Sequence, residues 1–209
     1  MFDSQYVIKT AAELRGLVPP PRPAQQTKVL SALDEHCRRW IERSPFVVIS
    51  SIDSAGRMDL SPKGDPPGFV RVLDDRTLAI PDRPGNRRLD TFFNVLDRSS
   101  VGVMFVVPGR GEVLRVGGTA QIVNDPELLG TMAVADRPPA LALVVTIDEV
   151  MFHCGKSVIR SRLWSPRAWP EIGDLASYAE CLADQTTSDE SIEQMEARFA
   201  TWHDGNELY

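Results

Sequence analysis

The chain is short of most patterns that announce a chemistry. Cysteine is scarce: Cys37, Cys154 and Cys181 are odd in number and far apart in 209 residues. That excludes a disulfide framework and suits a reducing cytoplasm. Histidine is equally thin, with His36, His153 and His203 widely separated and no HExxH or CxxC. Nothing there has the spacing of a zinc site. His153 and Cys154 are neighbours, but adjacent strand residues point to opposite faces and share a metal poorly, so no metal is expected. GxGxxG, GxxxxGK[ST] and GxSxG are all absent, which removes the Rossmann, P-loop and hydrolase-elbow readings. No stretch approaches the ~18 uninterrupted apolar residues of a membrane span. The N-terminal MFDSQYVIKTAAELRG carries Asp3 and no apolar core, so it does not read as a secretory signal. Positive charge is not in excess either. A net charge of −6 argues against nucleic acid or an anionic membrane as partner, while leaving room for a local basic pocket.

What is present describes an ordinary globular chain, 43% hydrophobic and 25% charged. Its length allows one sizeable domain, with or without an appendage. The VPPPRP run reads as part of a stiff extended arm over residues 1–24. Val29, Leu30, Leu33, Cys37, Trp40 and Ile41 recur at helical spacing and predict a helix from residue 26 to 41, closed by Pro45. FVVISSI, the turn DSAG and RMDLS read as a hairpin, and TLAIP as a third strand. VGVMFVV, a turn at 108–111 and EVLRVGGTAQIV follow, with Gly117 and Gly118 marking a bulge or a close approach. Asp125-Pro126 opens a short helix, and LALVVTI and EVMFHC supply the remaining strand material. Six or seven mostly antiparallel strands with few helices predict a small barrel, not a doubly wound sheet. LASYAECLA and SIEQMEARFATW are two helical pieces, the second with a capping box from Thr187 and Glu190. They are too short for a separate domain and are expected to pack on the barrel or on a partner subunit.

The segment PDRPGNRRLDTFFNVL (81–96) is the most telling. Leu89, Phe92, Phe93 and Leu96 form a one-faced stripe, with Asn86 as N-cap after the Pro84-Gly85 turn. Arg87 and Arg88 then fall in the first helical turn, where cations oppose the helix dipole by up to about 1 kcal/mol. An anion held by the free N–H groups and both guanidinium groups relieves the mismatch, and a phosphate suits that site. The alternative is a pair of solvated arginines bonded to Asp82, Asp90 or Asp97. Other cations recur at strand edges: Arg57, Lys63 within SPKGD, Arg115, and Lys156 with Arg160 and Arg162. No cysteine or serine has a histidine base near it in sequence, which favours a cofactor as the source of the chemistry.

DLSPKGD, TLAIPDR running into GNRRLDTFFN, PGRGEVLRVGGTAQI and CGKSVIRSRLW together resemble the pyridoxamine 5'-phosphate oxidase-like FMN-binding proteins. The resemblance covers about residues 25 to 165, and is strongest to the branch that ends in a tryptophan-containing tail. It implies an antiparallel split β-barrel of six or seven strands, a homodimer, and FMN in the groove between subunits. It implies three parts: an arm at 1–24, an FMN-binding barrel at 25–165, and a helical extension at 166–209. By resemblance, Asn86, Arg87 and Arg88 hold the FMN phosphate. Arg57, Leu60 and Ser61 run along the flavin, with Lys63 near the ring or phosphate. Ile80 and Pro81 bring backbone groups to the cofactor, the partner subunit presents Arg115, and Lys156 and Arg160 cover the ring edge. Two departures argue against vitamin B6 oxidation. Arg160-Ser161-Arg162 replaces the Arg-x-His of the true oxidases, and Pro62 displaces their strand-end lysine by one position. The expected activity is FMN-dependent oxidation or reduction of a small molecule, with NAD(P)H as an electron donor to be tested. The same barrel also hosts deazaflavin F420 and haem; a flavin-binding module without turnover and a structural dimer with an empty groove are the remaining readings of this chain.

Overall fold

The computed structural model describes residues 3–203 and residue 208; Met1, Phe2, 204–207 and Tyr209 lie outside the described residues, so the two ends of the expected arm and tail do too. Seven strands form one antiparallel sheet: β1 (Phe46–Ile52), β2 (Met58–Gly64), β3 (Arg71–Val72), β4 (Thr77–Pro81), β5 (Ser100–Val106), β6 (Val113–Val123) and β7 (Ala142–His153). Their spatial order is β2-β1-β5-β6-β7-β4-β3. The β1–β2 hairpin stands as expected, but β2 runs on through Pro62 and Lys63 to Gly64. Proline is tolerated there because β2 is an edge strand, whose outer face needs no ladder donor. LALVVTI and EVMFHC are one twelve-residue strand. The step lies between Gly117 and Gly118, which face Glu149 and Ile147, so Asp148 is the extra residue. A Cβ on Gly118 would sit 2.0 Å from the Thr146 carbonyl oxygen, so only glycine fits this crossing.

Inward-facing residues of the strands fill the core: Val47, Ile49, Leu78, Ile80, Val103, Phe105, Leu114, Val116, Leu143 and Ile147 are all essentially inaccessible. The sheet curls until edge β2 approaches the segment after β4. They meet through side chains, not a backbone ladder. Lys63 Nζ lies 3.0 Å from Asp82, and Arg83 Nε lies 2.6 Å from Asp65. This seam is where the barrel is split.

The helices depart further from expectation. The helix expected at 26–41 is two pieces, α2 (Pro23–Thr27) and α3 (Glu35–Arg43). Leu30 instead makes two backbone bonds with Val150, at 2.9 and 2.8 Å, and Asp34 caps α3 by accepting from the Cys37 N–H at 2.8 Å. The arm is not extended throughout. It holds a 3₁₀ turn (Ser4–Tyr6) and α1 (Ala11–Leu17), started by a capping box of Thr10 and Glu13. α5 (Pro126–Gly130) follows Asp125 as foreseen. α6 (Lys156–Ser161) follows β7. The tail forms α7 (Tyr178–Gln185) and α8 (Ile192–His203), packed through the rings of Tyr178, Phe199 and Trp202. The second capping box uses Ser191 and Gln194, with bonds of 2.8 and 3.3 Å, and not Thr187 and Glu190. Glu190 is engaged elsewhere, by Arg198 at 2.8 Å. Among the described residues no helix is long and apolar enough to cross a membrane.

Burial, reinforced by the Asp34 carboxylate, pushes the Cys37 thiol up to about 12. Exposed Cys154 has no such cover. A thiol-specific disulfide reagent at pH 8 is therefore expected to label Cys154 in the folded protein and to reach Cys37 only on unfolding. Mass spectrometry of the labelled peptides checks this. Equal rates at the two positions would mean that α3 does not pack as described.

Candidate functional site

A cleft of about 470 Å³ runs between edge strand β2 and the segment from Asp82 to Phe92. That volume is within the ~300–1,000 Å³ of small-molecule sites. β2 contributes Asp59, Leu60, Ser61, Pro62 and Lys63, and the opposite wall includes Asp82, Asn86 and Arg87. The third wall is the start of α4 (Asp90–Asp97).

α4 begins three residues later than the sequence suggests. Asn86 does not cap it; its side chain accepts from the Arg88 N–H at 3.0 Å, closing a tight turn. Arg87 and Leu89 both adopt left-handed backbone, at φ 60° and 58°. Each such residue costs roughly 1–2 kcal/mol when it is not glycine. The two arginines therefore lie outside the helix, and the dipole penalty inferred for them does not apply. What replaces it is a strained loop in which left-handed residues alternate with others, a geometry that can gather backbone N–H groups around an anion. Strain of this kind persists where the surroundings fix it, and it clusters at ligand sites. The helical stripe is also rotated. Thr91, Phe92 and Val95 face inward, while Phe93 and Leu96 point outward at 60% and 71% exposure.

The two arginines have different fates. Arg88 bonds Asp90 through two nitrogens, at 2.7 and 3.2 Å, and does not line the cleft. Hydrogen bonding to Asp90, more than its charge alone, raises the pKa of Arg88 further. Arg87 lines the cleft and makes no ion pair or side-chain hydrogen bond among the described residues. Lys63 is held by Asp82 and lies 5.6 Å from the centre of the Phe92 ring. Thr91 donates to Asp59 at 3.0 Å, and Asn94 donates to Ser51 at 2.9 Å, fixing α4 to the sheet. Arg83 also donates to the Met132 carbonyl, at 2.8 Å.

Of the residues singled out from sequence, Leu60, Ser61, Lys63, Asn86 and Arg87 come together in this cleft. Ile80 and Pro81 are buried at the end of β4, directly before the wall residue Asp82. Arg57 lies outside, bonded to Asp53 at 2.6 Å. Arg115 pairs with Glu149 across β6 and β7, and Lys156 and Arg160 are exposed on α6. One chain does not bring these last four to the cleft. Asp59, Arg83 and Thr91 were missed. A faint signal existed for Arg83, because Lys63-Gly64-Asp65 and Asp82-Arg83 are complementary in charge order, but no local spacing joins segments so far apart.

Residues 33–154 match the family model described as pyridoxamine 5'-phosphate oxidase. The chain belongs to this family. The matched span takes in all seven strands and α4, hence the whole cleft, and leaves out α6, α7 and α8. No curated protein matches the chain in sequence. Among solved structures it is similar to HupZ of group A Streptococcus, at 17% identity over 56% of this chain and 91% of that one, with a TM-score of 0.46. It is similar to an FMN-binding protein from Syntrophomonas wolfei, at 12% identity over 55% and 86% of the two chains, TM-score 0.41. HutZ, the haem storage protein of Vibrio cholerae, shares 11% identity over 58% and 94%, TM-score 0.41. Likeness at this level assigns no cofactor to a pyridoxamine 5'-phosphate oxidase family member.

The cleft's own residues do fit a phosphorylated flavin. Lys63, Arg83 and Arg88 are each matched by a carboxylate, which leaves the Arg87 guanidinium as a cleft cation with no anion of its own. Leu60, Pro62 and Phe92 supply apolar surface for a flat ring, and Ser61 and Asn86 supply polar contacts.

Proposed function

We propose that this cleft binds FMN and that the protein is an FMN-dependent oxidoreductase acting on a small molecule. The observation carrying the proposal is Arg87, an unmatched cation on a strained loop at the cleft wall. Arg87, with the Asn86 side chain and the N–H groups of the loop, would hold the phosphate. Leu60 and Ser61 would lie along the flavin, with the Lys63–Asp82 pair at the end of β2. Bound flavin supplies the electron transfer, and the residues here position it. Lys63 is tethered and neutralised by Asp82, so it would offer a fixed N–H donor beside the ring with no net charge.

The protein would work as a homodimer. One sheet face carries exposed Phe46, Met58, Leu60 and Met104, with Arg115 paired to Glu149 in the same face. A second copy covering that face would place Leu60 at the junction of the interface and the cleft.

Protein purified and mixed with FMN is expected to stay yellow through gel filtration, with the flavin bound one per chain. NADH and NADPH, added separately without oxygen, then show whether the flavin is reduced. A colourless product that takes up no FMN overturns the assignment. A Soret band after haem addition, or retention of F420 alone, would move the protein to another cofactor of this fold.

A further inference from the structure

The chain beyond β7 divides into two blocks of opposite charge. Residues 156–167 contain Lys156, Arg160, Arg162 and Arg167 and no acid, whereas acids outnumber Arg198 eight to one across residues 169–203. The basic block is α6 and its continuation, exposed throughout apart from half-buried Val158. Its four cations make no ion pair or side-chain hydrogen bond among the described residues. The acidic block is the α7–α8 hairpin and the strap leading to it. Some of its carboxylates are used within the hairpin, as Glu180 caps Ser177 and Glu190 holds Arg198. Others, such as Glu171, Asp174 and Asp184, meet no cation. Only ten residues, 168–177, separate α7 from the basic block, yet the folded single chain leaves the two unjoined.

We propose that the basic α6 segment is the docking surface for the acidic α7–α8 hairpin of a second copy of this chain. Charge complementarity selects the occupant. Each copy carries one block of each sign, so a two-fold pair makes the contact twice and matches both patches at once. Apolar groups reinforce it: Ile159 and Leu163 stand exposed among the cations, and Ile172 and Leu175 among the acids. A nucleic acid would meet the same cations, but it would also meet the repulsion of the acidic hairpin beside them. The contact lies outside the span that defines the family and does not depend on the flavin assignment.

The test uses the full-length protein. Chains labelled with ¹⁴N and ¹⁵N are mixed until native mass spectrometry shows mixed dimers. A carbodiimide then joins amines to carboxylates in contact; Lys156 is the one amine side chain in the basic block. Lys156 is expected to be linked to carboxylates of residues 171–196 in mixed-isotope peptide pairs. Raising salt to 0.5 M, where screening acts within several ångströms, should cut the yield several-fold. Arg160→Glu with Arg162→Glu should do the same. Links confined to single-isotope pairs would mean that each hairpin reaches its own α6, and would overturn the proposal. So would chains that stay monomeric, or the absence of any link. Suppression of the link by added FMN would assign α6 to the cofactor, and retention of a single-stranded RNA in its place would assign it to nucleic acid. Either result removes the docking role.

Discussion

Replacing Arg87 with alanine is expected to weaken FMN binding by about 10- to 150-fold, the ~1.5–3 kcal/mol of a charge-assisted hydrogen bond to a phosphate. Arg88→Ala should change it by no more than about threefold, the scale of an exposed ion pair. The asymmetry follows from where the two guanidinium groups are. Arg88 is spent on Asp90, whereas Arg87 faces the cleft with nothing to neutralise it. The comparison with riboflavin, which lacks the phosphate, isolates the effect. The wild type should prefer FMN strongly, and Arg87→Ala should bring the two ligands close to equal. Fluorescence titration of both flavins against both variants completes the cycle. An Arg87→Ala protein that keeps its full preference for FMN would place the phosphate elsewhere. Because Arg87 has positive φ, Arg87→Gly is a useful companion: it relieves backbone strain yet should lose the same affinity, separating charge from loop geometry.

The strands were readable because alternation survives the fold. β1 alternates between outward and buried positions along its length, and the glycine pair in β6 marks a bulge wherever a neighbour's carbonyl comes this close. Less was readable where long-range contacts override local preference. Asn86-Arg87-Arg88-Leu89 has no residue that forbids helix, so nothing local announces two left-handed positions. Leu30 satisfies a helical stripe on paper but is drawn out of it by the backbone of Val150. β3, at two residues, is too short to show a period. The cleft was half legible for the same reason. Lys63, Asn86 and Arg87 belong to recognisable local segments, while Asp59 and Thr91 matter only because α4 packs against β2.

Asp65→Ala is expected to cost about 3–5 kcal/mol, as when one partner of a buried ion pair is removed. Against a typical stability of about 5–15 kcal/mol, that is enough to unfold a marginal chain. The Asp65 side chain is 1% exposed and that of Arg83 14%, so the substitution removes the carboxylate that balances a largely buried guanidinium. The penalty belongs to the orphaned charge more than to the bond, and this can be tested. Asp65→Leu combined with Arg83→Met removes both charges and should be much less damaging than either single change. Urea denaturation of the three variants, with the slopes compared to guard against a change of mechanism, gives the coupling. A loss below about 1 kcal/mol for Asp65→Ala would mean that water or another anion reaches Arg83, at odds with the burial of a tight pair. The same seam ties stability to binding. Arg83 leads directly into Pro84, Gly85 and the strained turn that carries Arg87. Any Asp65→Ala protein that still folds should therefore hold FMN more weakly even though Asp65 does not line that cleft, and Arg83→Lys, which keeps a charge but not the fork, should fall between it and the wild type.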